Sequence, residues 1–301
     1  MNVLSLFDGK SSGYTACELA GIEIGTYYSA EKDKYAIKVS DAIHPDQIRL
    51  GDVTKWRDWD IDWSSIDMIF GGFPCQAWSV AGKQMGDKDE RGMLFWVMLD
   101  IMKHVRHHNP KAGFLTENVK MKKEFEEYIT FHMNNAVGDV HKILINSALV
   151  SAQNRNRYYW TSFPVSNVTC PKNLTLRDII CDIGDEFDIT DSYNKKPEGT
   201  STFRNSRKNV RTLDKTAKCL TASGQNVSNA GATNILMDDG AYKKLSPREC
   251  FRLQTVPEHY IDKILDCGVS NTQLYKIAGN GWTDEVIAHI LKCHKRDNAH
   301  R

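Results

Sequence analysis

The chain has 301 residues, with 39 Lys and Arg against 38 Asp and Glu, and 41% of its residues are hydrophobic. That length supports one large core, or one large and one small, in an ordinary globular protein. No uncharged apolar run approaches the ~20 residues a membrane span needs, and MNVLSLFDGK lacks the basic start and long apolar core of a signal peptide, so a cytoplasmic protein without membrane contact is expected.

In chain order, VLSLF (3–7) has the composition of a buried strand, DGKSSG (8–13) that of a turn, and Tyr14 to Ala20 that of a short helix ended by Gly21. IEIGTYYSA (22–30) predicts a second strand ending at Glu31, KDKYAIKVSDAI an amphipathic helix, and QIRLGDV a third strand reaching Asp52. IDMIF (66–70) and AGFLTENV (112–119) predict two more strands, and HKILINSALV with RYYWTSF a final pair. MLFWVMLDIMKHV (93–105) is apolar almost all round and predicts a buried helix. Such alternation implies an α/β sheet with helices on both faces.

After Phe163 the texture changes, and 164–242 is rich in Asn, Ser, Thr, Lys and Gly with no long helical period. Regular structure resumes at LSPRECFRL, where Ser246, Pro247 and Glu249 form a capping box with proline at the first helical position. TDEVIAHILKCHKR, acidic at its start and basic at its end, predicts the last helix. Between Asn194 and Arg252 there are twelve Lys and Arg against five Asp and Glu, a local net of +7 within a total of +1. A basic face of this kind suits a polyanion, and a solvated lysine-rich loop has the same composition.

None of the eight cysteines forms a CxxC pair and no Cys/His group has zinc spacing, so no metal is expected. Cys75 stands apart, because GGFPCQ follows a strand and Pro74 stiffens the approach to the thiol. Strand, glycine turn, helix and then an acid after the second strand is the order of a dinucleotide fold. DGKSSG is not GxGxxG, however, so a pyrophosphate finds no closely spaced glycines. An adenosine cofactor without phosphates asks less, and Glu31 and Asp52 suit its ribose and adenine. S-adenosylmethionine is such a cofactor, with turn and cap roles for the same residues as the alternative.

FDGKSSG, GGFPCQAWS, TENV, QNRNR, LSPRECFRLQTVP and AGNGWTDEVI occur in this order. The set resembles the ordered motifs of the DNA (cytosine-5) methyltransferases of bacterial and phage type, from residue 3 to about 290, apart from a variable stretch at 164–210. The resemblance implies a Rossmann-like S-adenosylmethionine-dependent methyltransferase fold with a second, small, loop-rich target-recognition domain. The catalytic domain would be discontinuous, 1–163 with 257–301, around a recognition domain at 164–256.

By the same resemblance Cys75 is the nucleophile that adds to C6 of a flipped-out cytosine, Glu117 holds N3 and N4, and Asn118 braces the site. Gln153, Arg155 and Arg157 serve the cytosine O2, the catalytic acid and the target phosphate. The cofactor would be held by Phe7, Asp8, Gly9, Gly13, Glu31, Asp52, Val53, Pro74, Leu94 and Asn280, leaving S-adenosylhomocysteine as product. Ala77 to Gly92 is similar to the family's mobile loop, with Lys83 and Arg91 facing phosphates. Double-stranded DNA is the expected partner, and Arg204, Arg207, Lys208 and Arg211 its expected contacts. Gln225 or Asn226 would read an adenine or fill the gap left by the base. A monomer in a bacterial or phage-infected cell is expected, with a cognate restriction endonuclease acting separately. Three departures mark this chain: Lys10, Ser11 and Ser12 where the family has a second glycine, GNG before Trp282 where GNS is usual, and Cys219-Leu220-Thr221 where a Thr-Leu pair is usual. A cytosine-5 tRNA methyltransferase on the same scaffold and a catalytically silent DNA-binding relative are the alternatives.

Overall fold

A computed structural model describes residues 1–74, 92–180 and 184–299, with 298 and 299 described by backbone alone. Packing divides the chain into two compact units, one of 1–145, 156–167 and 287–301, the other of 146–155 and 168–286. This division falls elsewhere than the change of composition, since 257–286 cluster with the second unit.

The first unit is built on a seven-stranded sheet: β1 (Val3–Leu6), β2 (Tyr27–Ala30), β3 (Ile48–Arg49), β4 (Met68–Gly71), β5 (Gly113–Val119), β6 (His141–Asn146) and β7 (Asn156–Thr161), in the order β3-β2-β1-β4-β5-β7-β6. β1 to β5 pair in parallel, while β7 runs antiparallel to β5. β1 and β4 are buried along their whole length, as continuous apolar runs in a covered parallel sheet should be. Helices α1 (Ser12–Leu19), α2 (Lys34–Ile43), α3 (Met93–His108) and α4 (Lys123–Val137) connect the strands. The register aligns Leu6, Ala30, Gly71 and Thr116 in one row, so the loops after four parallel strands leave from the same carboxyl edge.

Several elements are shorter than the apolar runs suggest. The second strand starts only at Tyr27, because Thr26 N–H donates to Asn2 Oδ1 and Gly25 N–H to the Met1 carbonyl, which ties this stretch into a turn. The third ends at Arg49, and Asp52 then accepts from Thr54 N–H and caps a 3₁₀ turn over 53–58. α3 is one-sided rather than buried all round, with Phe95, Met98, Leu99, Ile101, Met102 and Val105 inside and Met93 exposed. α4 was not anticipated; it buries Glu126, Ile129, Met133 and Val137 at helical spacing beneath a polar outer face.

The second unit holds helices α5 (Leu176–Ile179), α6 (Thr190–Asn194), α7 (Ser201–Lys208), α8 (Pro247–Leu253), α9 (Glu258–Asp266) and α10 (Asn271–Asn280). Its three-stranded sheet orders β8 (Val210–Thr212), β9 (Asn234–Leu236) and β10 (Tyr242–Lys244) as β10-β9-β8. α8 carries the expected capping box of Ser246 and Glu249 with Pro247 at its start. The last helix, α11 (Asp284–Ala299), returns from Ile287 to the first unit. There Lys295 Nζ donates to the Gly21 carbonyl at 3.1 Å, and His294 packs on Phe163 with ring centroids 4.4 Å apart.

Two measurements check this packing. A Cβ at Gly13 would overlap the Phe70 ring and lie 2.8 Å from the Tyr27 hydroxyl, so this glycine lets α1 lie close on the sheet. Gly13→Ala is therefore expected to cost about 1–3 kcal/mol, read from the denaturant midpoint. Burial pushes the Cys17 thiol up to about 12 and Cys250 well above its ordinary value, whereas Cys170 is exposed. At pH 8 a thiol reagent should modify Cys170 well before either buried cysteine, as mass mapping of the labelled protein would show.

Candidate active site

The turn after β1 is bent by three residues of positive φ in alternation: Phe7 at 57°, Gly9 at 60° and Ser11 at 61°. Two of these are not glycine, and such a backbone persists only where its surroundings impose it. The surroundings are the buried Asp8 carboxylate, which accepts from Ser5 Oγ at 2.5 Å, Ser11 Oγ at 2.6 Å, Ser29 Oγ at 2.7 Å and Tyr27 Oη at 2.8 Å. Four hydroxyls compensate the lost hydration of the charge. The phenol of Tyr27 is pushed well above its ordinary range by burial first and by the Asp8 charge second. Asp8 thus shapes the turn through its own protein partners, and Gly13 serves helix packing.

Glu31, at the end of β2, accepts from Gly9 N–H at 2.9 Å and from Lys32 and Asp33 N–H at 2.8 Å each, and so locks the second loop to the first. Asp52 sits beyond β3, a third of its side chain in solvent, with Lys32 Nζ at 3.9 Å. The Thr54 backbone N–H, more than any nearby charge, holds its carboxyl below the usual range. Val53 is buried, while Phe7 and Leu94 are half-buried against the main core. Ser12 Oγ, absent from the expected set, is buried and lacks a partner at the start of α1, a helix with no side-chain cap and no acid in its first turn. Only the family comparison of DGKSSG pointed to this position, as a departure.

At the same edge of the sheet β5 presents Glu117 and Asn118. Glu117 Oε1 meets Arg157 Nε at 2.8 Å, and both side chains are nearly nine-tenths buried. The pairing of Val119 with Arg157 across the antiparallel β5 and β7 sets this meeting, because it brings the guanidinium level with the acid. Asn118 Nδ2 donates at 3.1 Å to the carbonyl of Phe73, one residue before the half-buried Pro74. Cys75, Lys83 and Arg91 lie outside the described residues.

The other members of QNRNR are elsewhere. Gln153 is fully buried in the second unit, where its Oε1 accepts from Leu220 N–H at 2.9 Å and its Nε2 donates to the Leu253 carbonyl at 3.1 Å. Arg155, also buried, donates to the carbonyls of Leu220, Gly279 and Gly281. Asn280 is exposed at the end of α10.

The expected DNA contacts divide likewise. Arg204, Lys208 and Asn226 are exposed. Arg207 instead stacks on Tyr193, its guanidinium carbon 3.8 Å from the ring centroid, and Tyr193 stacks on Tyr242 at 3.9 Å. Arg211 donates to the carbonyls of Lys208 and Val210, and the buried Gln225 accepts from Thr233 N–H.

Among the described residues no helix is long and apolar enough to cross a membrane, and no group of three or more His, Cys, Asp or Glu could hold a metal. Residues 1–296 match the profile of the C-5 cytosine-specific DNA methylases. The type II methyltransferase M1.ScrFI of Lactococcus lactis subsp. cremoris is 32% identical over 300 residues, which cover 90% of this chain and 72% of that one. M.HhaI of Haemophilus parahaemolyticus is 29% identical over 318 residues, 96% of this chain and 93% of its own. The Entamoeba histolytica methyltransferase EhMeth superposes with a TM-score of 0.79 at 14% identity, over 99% of this chain and 98% of that one, and shares the fold. A match running from the first strand into the last helix leaves no separate family to account for, and the protein belongs to the C-5 cytosine-specific DNA methylases, an enzyme of the DNA cytosine-5 methyltransferase class.

Proposed function

We propose that the protein methylates C5 of a cytosine flipped out of a specific duplex sequence, through a transient bond between Cys75 and C6. The observation that carries this reading is the Glu117–Arg157 pair at the carboxyl edge of the sheet, beside the strand whose continuation leads through Phe73 to Cys75. C5 of cytosine is a poor nucleophile, and addition of a thiolate at C6 turns the ring into an enamine whose C5 can attack an electrophilic carbon. Glu117, when protonated, donates to N3 and stabilises the charge that develops there. Arg157 keeps the acid in one rotamer, and Asn118 holds the backbone leading to the thiol. Loss of the C5 proton then expels the thiolate and restores the ring. A cytosine within a duplex cannot reach such groups, so the base must leave the stack.

The residues present fit S-adenosylmethionine, because a strained turn with an orphaned buried hydroxyl, Ser12 Oγ, precedes two strand-end acids, Glu31 and Asp52. That cofactor supplies an electrophilic methyl group when bound. Phe7, Gly9, Glu31, Asp52, Val53, Pro74 and Leu94 would hold it, while Asp8 and Gly13 shape the turn. Recognition belongs to 164–256, with catalysis in 1–163 and 257–301, and Arg204, Lys208 and Asn226 are the exposed candidates for DNA contact. Lys83 and Arg91 would add phosphate contacts from the loop after Cys75. In this reading the protein works as a monomer in the cytoplasm of a bacterial or phage-infected cell, and the type II names of its relatives support a cognate endonuclease.

Bisulfite sequencing of DNA from cells expressing the protein should show one methylated context, and an absence of new 5-methylcytosine would overturn the reading. Duplex carrying 5-fluorocytosine in that context should form a covalent adduct that Cys75→Ala abolishes, while transfer RNA should accept no methyl group. Arg157→Ala should lower kcat by about 10²–10³-fold, as expected for the loss of a group that orients charge stabilisation, with cofactor affinity by calorimetry unchanged.

A further inference from the structure

Arg155 carries a guanidinium taken wholly out of water, which is costly unless every N–H finds an acceptor. Nη1 donates to the Leu220 carbonyl at 3.0 Å and approaches Cys219 Sγ at 3.5 Å. Nη2 donates to the carbonyls of Gly279 at 3.1 Å and Gly281 at 2.8 Å. One planar fork thus joins the segment at 219–220 to the turn that ends α10. Gln153, two residues earlier, grips the same segment from its amide side, where Leu220 N–H donates to its Oε1 at 2.9 Å.

A second layer holds the grip in place. Gln254 Nε2 donates to the carbonyls of Ala278 and Gly281, and its Oε1 accepts from Thr283 Oγ1 at 3.0 Å. Gly279 has no side chain where a Cβ would overlap the Thr221 carbonyl and lie 2.7 Å from Ala222 N. Gly231 likewise leaves room for Thr221, a Cβ there meeting its Oγ1 at 2.8 Å and the Cys219 carbonyl at 2.5 Å. Ala222 and Ser223, immediately after the gripped residues, are exposed and open the polar stretch that ends at Asn229.

We propose that Arg155 is a positioning residue for target recognition: with Gln153 and Gly279 it registers the backbone at 219–222, and so the loop 222–229, whose Ala222, Ser223 and Asn226 are exposed to meet the DNA. Its guanidinium acts through protein carbonyls rather than at the reacting base. This inference rests on the function proposed above. Lysine keeps the charge but donates from one nitrogen, so it does not reproduce the planar fork whose two nitrogens each meet a different segment. A charge needed at the cytosine would survive the change in part, and a clamp would not.

The test compares wild type, Arg155→Lys and Gly279→Ala on the methylated duplex and on duplexes with one flanking base pair altered, with amide exchange of 219–223 followed in the DNA-free protein. Arg155→Lys should raise the DNA KM by about tenfold or more, cut discrimination between duplexes about as much, and keep kcat within about threefold, as a misplaced recognition loop would. Exchange at 219–223 should quicken. Gly279→Ala, which displaces the same backbone without removing a hydrogen bond, should do likewise, and it decides the matter if the lysine variant does not fold. A fall in kcat for Arg155→Lys with KM and discrimination unchanged overturns the proposal, as does a folded Gly279→Ala that matches wild type in all three. If wild type methylates no DNA the proposed function fails instead, and the exchange rates still report whether Arg155 holds the segment.

Discussion

A charge taken out of water must be met by hydrogen bonds, and three such charges organise this protein. Asp8 collects four hydroxyls from β1, β2 and the turn, Glu117 collects the guanidinium of Arg157, and Arg155 collects carbonyls from two distant segments. In each case the partners come from separate stretches of chain, so meeting the charge also fixes those stretches against one another. The strained turn after β1 is the clearest instance. Phe7 and Ser11 hold positive φ in a place where only a dense set of bonds makes the conformation the best available.

The sheet then gives these anchored groups a common address. Parallel strands whose ends align in one row deliver their loops to one edge, and β7, reversed, brings Arg157 back to it. Residues far apart in sequence, such as Glu31 and Gly9, or Asn118 and Phe73, become neighbours because their strands stop at the same level. The carboxyl edge of an open α/β sheet is where ligands bind in such folds, since it gathers loops without burying them.

The architecture was legible because it depends on hydrophobic runs. β1, β4, β5 and the capped helix α8 carry apolar periods and turn residues that leave few other solutions. α4 escaped notice because its buried stripe includes Glu126 and its outer face is as polar as a loop. The Glu117–Arg157 meeting was foreshadowed by the motif resemblance, which set a basic group against the acid. What the sequence hid was the choice of partner for each polar group. Gln153 and Arg155 share a motif with Arg157, yet one residue of chain separates a guanidinium facing an acid from one spent on carbonyls. Arg207 and Arg211 likewise count as positive charge in the composition, while in the fold they stack on tyrosine and fold onto the backbone. Composition counts charges; only tertiary contacts say which remain available.

The return of α11 to the first unit bears on how the protein is made. Ile287, Ile290 and Leu291 are fully buried, and Lys295 clasps the loop after α1, so part of the first body is supplied by a segment that follows the whole second unit in sequence. Until then the first unit lacks the helix that holds the loop after α1 and packs on Phe163, although its strands precede the second unit's helices. Domains otherwise fold as units during synthesis, from the beginning of the chain onward. Here completion of the first unit waits until the second has been synthesised, and a product terminated before Ile287 would lack a buried part of its first body.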